Sequence, residues 1–179
     1  MNNKALLWIT LAGTLFCTLL AVLFFFGVPV FNVNRPPLYL ITLGFAGSLS
    51  LALFKQKRSR DVVFVNILIY FIFAVVSQAL KAITALILLI YYASLVLALY
   101  VYTRYFDKNL GKLVWARPLV LAGLLALFYI AANTLHSLMF IRSFEIRFLL
   151  MNMPIGFLLG LGIGLGQVFT ERYLLHGNK

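Results

Sequence analysis

Residues 62–106, VVFVNILIYFIFAVVSQALKAITALILLIYYASLVLALYVYTRYF, decide the fold. About 45 residues run here with Lys81 as the only charge before Arg104. As one straight helix, at about 1.5 Å per residue, the stretch would be roughly 67 Å long, twice the hydrocarbon thickness of about 30 Å that a bilayer offers. It must fold back on itself, and Lys81 marks the reversal. Two spans are expected, at 62–80 and 82–103.

The rest of the chain repeats this pattern. Of the 179 residues, 64% are hydrophobic and 11% charged, with a mean hydropathy of +1.03. Soluble domains carry about 25% charged residues, and a chain of this size cannot hide so much apolar surface inside one water-facing globule. The excess must face lipid, which excludes a soluble enzyme, a secreted disulfide scaffold and a disordered tail. The lone Cys17 forms no internal disulfide. Phe16 before it argues against lipoprotein processing, which needs a small residue at that place.

Further spans are expected at 5–33, 38–54, 118–141 and 148–170. The first is too long for the 7–15-residue core of a cleavable signal, and no A-x-A site follows it. Asn32-Val33-Asn34-Arg35-Pro36-Pro37 reads as a turn, 55–61 and 107–117 as basic loops, and 142–147 as a short loop. Pro118 suits a helix's first turn. The chain thus reads as a single all-α domain over 1–179, a polytopic membrane protein of six transmembrane helices with no extramembrane domain.

Charge fixes the orientation. Of 15 Lys+Arg against 4 Asp+Glu, eleven cations (Lys4, Lys55, Lys57, Arg58, Arg60, Arg104, Lys108, Lys112, Arg117, Arg172 and Lys179) fall on one side of this map. Four, namely Arg35, Lys81, Arg142 and Arg147, fall on the other. The positive-inside rule makes the richer side cytoplasmic, so both termini are expected there, in a bacterial cytoplasmic (inner) membrane. Tyr100, Tyr102 and Tyr105 fall where an inner aromatic belt belongs. The net charge of +11 therefore reports topology rather than nucleic acid, since no basic run is attached to a soluble domain.

The four acids, Asp61, Asp107, Glu145 and Glu171, all lie in loops or at span ends, whereas ion-coupled transporters keep a carboxylate inside the membrane. No H-E-x-x-H, paired carboxylates, cysteine pair, G-x-S-x-G or nucleotide loop is present. The run Gly44-Phe45-Ala46-Gly47-Ser48 reads as small residues in a membrane helix. No catalytic residue, metal ligand or cofactor is expected, and the chain reads as non-enzymatic.

Two polar stripes remain. Asn66, Tyr70, Ser77 and Lys81 recur within an arc of about 60° on the third span, and Tyr129, Asn133, His136 and Ser137 within about 100° on the fifth. Polar groups avoid lipid, so both stripes should face the bundle interior. With Tyr91 and Tyr92 near mid-depth and Asn152 on the sixth span, they outline an outward-facing polar pocket for a small solute. The bland reading is interhelical hydrogen bonding as structural glue. Gly156, Gly160 and Gly164 form a small-residue row on the sixth span, and Gly13, Cys17 and Ala21 one on the first; such rows bring helix backbones together.

In size, span count and orientation the chain is similar to two sorts of bacterial membrane protein, the substrate-capture subunits of energy-coupling-factor transporters and the rod-shape protein MreD. The similarity is one of topology along the whole length and carries no residue motif. The leading expectation is a membrane subunit that binds or passes a small solute, with a partner supplying energy. The alternative is a structural or signalling scaffold whose glycine faces or basic loops engage a membrane or cytoplasmic partner subunit. The lipid bilayer is the one certain partner, and no nucleic acid is expected.

Overall fold

The computed structural model describes residues 3–27, 38–76, 82–110, 113–141 and 146–174, and every regular element among them is helical. In chain order these are α1 (Asn3–Gly27), α2 (Leu38–Lys55), α3 (Ser59–Val76), α4 (Ala82–Val101), α5 (Ala116–His136) and α6 (Ile146–Phe169). The last three each run on into a wider π turn, at Tyr102–Phe106, Ser137–Ile141 and Thr170–Leu174. Among the described residues four stretches are long and apolar enough to cross a membrane: Asn3–Leu23, Leu89–Phe106, Ala116–Met139 and Met153–Leu174. Leu7, Leu11, Leu15 and Leu19 form a row of exposed leucines along α1. An apolar row of that length is stable in lipid and not in water. The protein is an all-helical, multi-pass membrane protein.

Helix α6 is the centre of the packing, because its glycines let two neighbours approach to backbone contact. Gly156, Gly160 and Gly164 meet α5: a Cβ at Gly160 would lie 2.5 Å from both Ala122 Cα and the Leu121 carbonyl oxygen, and one at Gly164 2.5 Å from Pro118 Cα. Gly162 and Gly166 meet α1 at Cys17 and Gly13. On its other side α1 meets α2, where Gly13 lies against Ser48 and Gly44 against Cys17. Ala21 is also buried, within the core that Cys17 shares with Leu159 and Ile163. The Cys17 thiol faces the Leu159 carbonyl oxygen at 3.6 Å. Ser48 donates to its own helix at the Gly44 carbonyl, 2.7 Å away, which satisfies the hydroxyl without a partner helix.

Helix α3 stands at the edge, packed on α2 and α4. The α2–α3 reversal is tight. Lys57 N–H donates to the Phe54 carbonyl (2.9 Å) and Arg58 N–H to the Leu53 carbonyl (3.0 Å), with Lys57 in the left-handed region at φ 61°. This is a Schellman helix stop built on lysine where glycine is usual.

Several expected boundaries shift. Helix α3 begins at Ser59 rather than 62, since Ser59, Arg60 and Asp61 complete its first turn, and α5 begins at Ala116, drawing Arg117 into the helix. The loop expected from 107 shortens accordingly. The end of the first span beyond Gly27 and the reversal at Lys81 lie outside the described residues.

Candidate functional site

A groove of about 550 Å³ opens between α3 and α4. Its walls are Ser59, Val63, Asn66, Ile67 and Tyr70 from α3 and Leu89, Tyr92, Ala93, Val96, Leu97 and Tyr100 from α4, with Phe54 of α2 behind them. One polar anchor holds α3 in place. Asn66 Nδ2 donates to Ser50 Oγ on α2 (2.6 Å) and to the Val62 carbonyl (2.8 Å), while Ser50 Oγ donates to the Ala46 carbonyl (2.6 Å). The Asn66 Oδ1 acceptor is buried without a hydrogen-bond partner, a cost of about 1–3 kcal/mol that α3 bears at this crossing. Further along, the Tyr70 and Tyr92 rings meet edge to face at 6.1 Å. At the other end Phe54 and Tyr100 meet at 5.9 Å. Between these aromatic pairs α4 presents Ala93, and the small side chain leaves the groove open there.

The second polar group lies elsewhere. Tyr91 points away from α3, and its hydroxyl donates to Asn133 Oδ1 on α5 at 3.0 Å. Its ring packs on Tyr129 at 5.3 Å. Asn133 is fully buried and Ser137 nearly so, while His136 is half-buried. Adjacent tyrosines thus serve two different places: Tyr92 lines the groove and Tyr91 joins α4 to α5.

Among the described members of the two stripes, Asn66 and Asn133 lie at different depths. Helices α3 and α5 both start at the same end of the bundle, yet Asn66 follows the start of α3 by two turns and Asn133 follows that of α5 by nearly five. At about 1.5 Å per residue this separates them by roughly 15 Å in depth. Ser77 and Lys81 lie outside the described residues, as does the side chain of Asn152. The groove's α4 wall, Ala93, Val96 and Leu97, was not among the expected site residues. A small residue within a bulky apolar run is the one signal the sequence offers for it.

The end of the bundle where α3 and α5 begin carries a network that charge counting alone misses. Lys55, the last residue of α2, pairs with Glu171, and with Asp107 Oδ2 at 3.2 Å. Arg117 Nη1, in the first turn of α5, reaches Glu171 Oε2 at 2.6 Å and Asp107 Oδ1 at 4.0 Å. Gln167 Nε2 donates to both carboxylates, at 2.8 Å to Asp107 and 3.2 Å to Glu171. The Tyr102 hydroxyl donates to Gln167 Oε1 at 3.4 Å. Tyr102 is therefore buried, not part of an interfacial belt, whereas Tyr100 and Tyr105 are exposed. Arg117 sits at a helix start and both acids at helix ends, each against its own helix dipole. Only their mutual pairing makes these positions favourable.

The charges of this network serve to join α2, α4, α5 and α6. Each carboxylate is held by a cation and an amide, an arrangement suited to fixing helix ends. No protein-family model matches the chain, and neither the curated proteins nor the solved structures contain a match.

Proposed function

We propose that the protein is a non-enzymatic, six-span integral membrane subunit of the bacterial inner membrane, with both ends cytoplasmic, that binds a small amphiphilic molecule between α3 and α4. The groove carries this reading. Its volume of about 550 Å³ falls within the range of about 300–1,000 Å³ usual for small-molecule sites. Its walls are almost wholly apolar, and Val63, Ile67 and Leu97 remain about half exposed along it. A molecule can enter sideways from the bilayer without crossing water.

This reading places the small molecule in the α3–α4 groove rather than in the outer polar pocket. Tyr91 and Asn133 are turned to each other, which favours the glue reading for that pair. With no nucleotide loop or intramembrane carboxylate in the expected spans, any movement of the ligand against a gradient would draw energy from a partner subunit. The scaffold alternative loses its first surface, because the glycine rows are taken up inside the chain; its basic loops remain, as do exposed rows such as Leu7, Leu11 and Leu15.

Native mass spectrometry of the gently extracted protein tests the proposal. Wild type should retain a bound small-molecule mass, and Ala93→Trp, which fills the groove, should lose it while keeping the helical circular dichroism of wild type. Retention of the same mass by Ala93→Trp would refute the groove as the site.

A further inference from the structure

We propose that the ligand of this groove is an anionic phospholipid, its apolar chain between α3 and α4 and its phosphate held by Arg60 and Arg104; the inference rests on the groove reading above. The helical register places both arginines at one mouth. On α3 the row Val63–Ile67 that lines the groove continues one turn toward the helix start at Arg60, three residues before Val63 and seven before Ile67. On α4 the row Leu97–Tyr100 continues into the π turn at Arg104, seven residues after Leu97 and four after Tyr100. Both arginines are exposed. Ser59, beside Arg60, is itself part of the groove wall.

Among the described residues these two cations are not committed to an ion pair. The three acids among the described residues are each engaged by another base: Asp61 by Arg58, and Asp107 and Glu171 by Lys55 and Arg117. Neither Arg60 nor Arg104 has a carboxylate partner among the described residues. A guanidinium at a membrane interface extends its head to the headgroup level and offers paired donors that match a phosphate. Within lipid, an apolar groove gains nothing from the hydrophobic effect, since acyl chains outside are equally apolar. Selectivity must therefore come from the charged mouth.

The test uses the full chain in mixed micelles with equimolar phosphatidylglycerol and phosphatidylcholine, and counts retained lipids by native mass spectrometry. Wild type should retain one phosphatidylglycerol with a preference of roughly ten- to thirty-fold, the order of attraction that two arginines supply at an anionic surface. Arg60→Gln/Arg104→Gln should still retain one lipid but with the preference lost, and Arg60→Lys/Arg104→Lys should keep part of it. Lys4→Gln/Lys179→Gln, which removes the same charge at the two chain ends, should leave the preference intact. Loss of preference in that control would overturn the inference in favour of diffuse charge attraction. Undiminished preference in Arg60→Gln/Arg104→Gln would overturn the phosphate site and leave the groove standing. Displacement of phosphatidylglycerol by an equal amount of oleate would overturn the phosphate assignment. If Ala93→Trp retains the lipid as wild type does, the groove reading itself falls.

Discussion

Replacing Gly160 by alanine adds one methyl group where α6 crosses α5. That methyl would lie 2.5 Å from Ala122 Cα, 2.5 Å from the Leu121 carbonyl oxygen and 2.7 Å from Ala122 N, whereas ordinary contact begins at 3.4 Å. Helix α5 must therefore withdraw by about 1 Å. All three obstructing atoms are backbone, so no side-chain rotation relieves the clash. The same approach recurs a turn away on each side, at Gly156 against the Leu125 carbonyl oxygen (2.7 Å) and at Gly164 against Pro118 Cα (2.5 Å). The withdrawal thus loosens three turns of contact. Overpacking of this sort costs about 1–3 kcal/mol, and rigid walls on both sides place Gly160→Ala at about 2–3. The better helix propensity of alanine returns at most about 1 kcal/mol.

Gly123 on α5 is the control, because a Cβ there meets nothing within 4 Å. Only propensity remains at that position, so Gly123→Ala should leave stability unchanged or raise it by up to about 1 kcal/mol. Two chemically identical substitutions should then differ by about 2–3 kcal/mol, roughly a 30- to 150-fold ratio of unfolding constants. Reversible unfolding by dodecyl sulfate in mixed micelles, followed by far-ultraviolet circular dichroism, measures the difference on the purified chain. A difference below about 0.5 kcal/mol would refute the packing role and return the glycine row to a partner, because a docking face leaves the isolated chain indifferent to the methyl group.

Other substitutions probe the charged end. Glu171→Ala leaves Lys55 and Arg117, 15% and 12% exposed, to share Asp107; removing one partner of a buried pair costs about 3–5 kcal/mol, and partial exposure lowers this to about 2–3. In the same unfolding assay, adding Lys55→Met should recover part of the loss, and a simple sum of the two single effects would argue against direct coupling. Lys57→Gly relieves a left-handed lysine and should raise stability by up to about 1 kcal/mol, while destabilisation would show that the lysine side chain contributes more than the strain it imposes.

The helical framework is legible from the sequence because charges and prolines punctuate the apolar runs. Residues 55–61 and 107–117 interrupt the runs, and the helix ends fall within a few residues of those places. The ends move outward where a polar residue can join a first turn, as at Ser59 and Arg117. The groove is not legible, because it depends on how α3 sits against α4, and periodicity says nothing of that. Periodicity likewise groups Asn66 with Tyr70 but cannot tell that Tyr91 and Tyr92, adjacent in sequence, turn to different helices.

The ionic network escapes for another reason. Asp107 and Glu171 lie far apart in the chain, and each alone reads as a span-end charge. Three acids on the cation-rich side of the map were the available signal, since surplus carboxylates there are most useful as partners for the cations. Tyr102 shows the same limit: spacing places it with Tyr100 and Tyr105, and only the hydrogen bond to Gln167 turns it inward.

The claim that the α3–α4 groove receives a lipid chain is tested most directly by photolabelling in a membrane. A phospholipid carrying a diazirine midway along its acyl chain is activated around the protein, and the labelled peptides are mapped. Label should concentrate on the groove walls at Val63, Ile67, Val96 and Leu97, and fall to the level of the exposed α1 row at Leu7, Leu11 and Leu15 in Ala93→Trp. Equal labelling of groove and α1 row in wild type, unchanged in the variant, would contradict it.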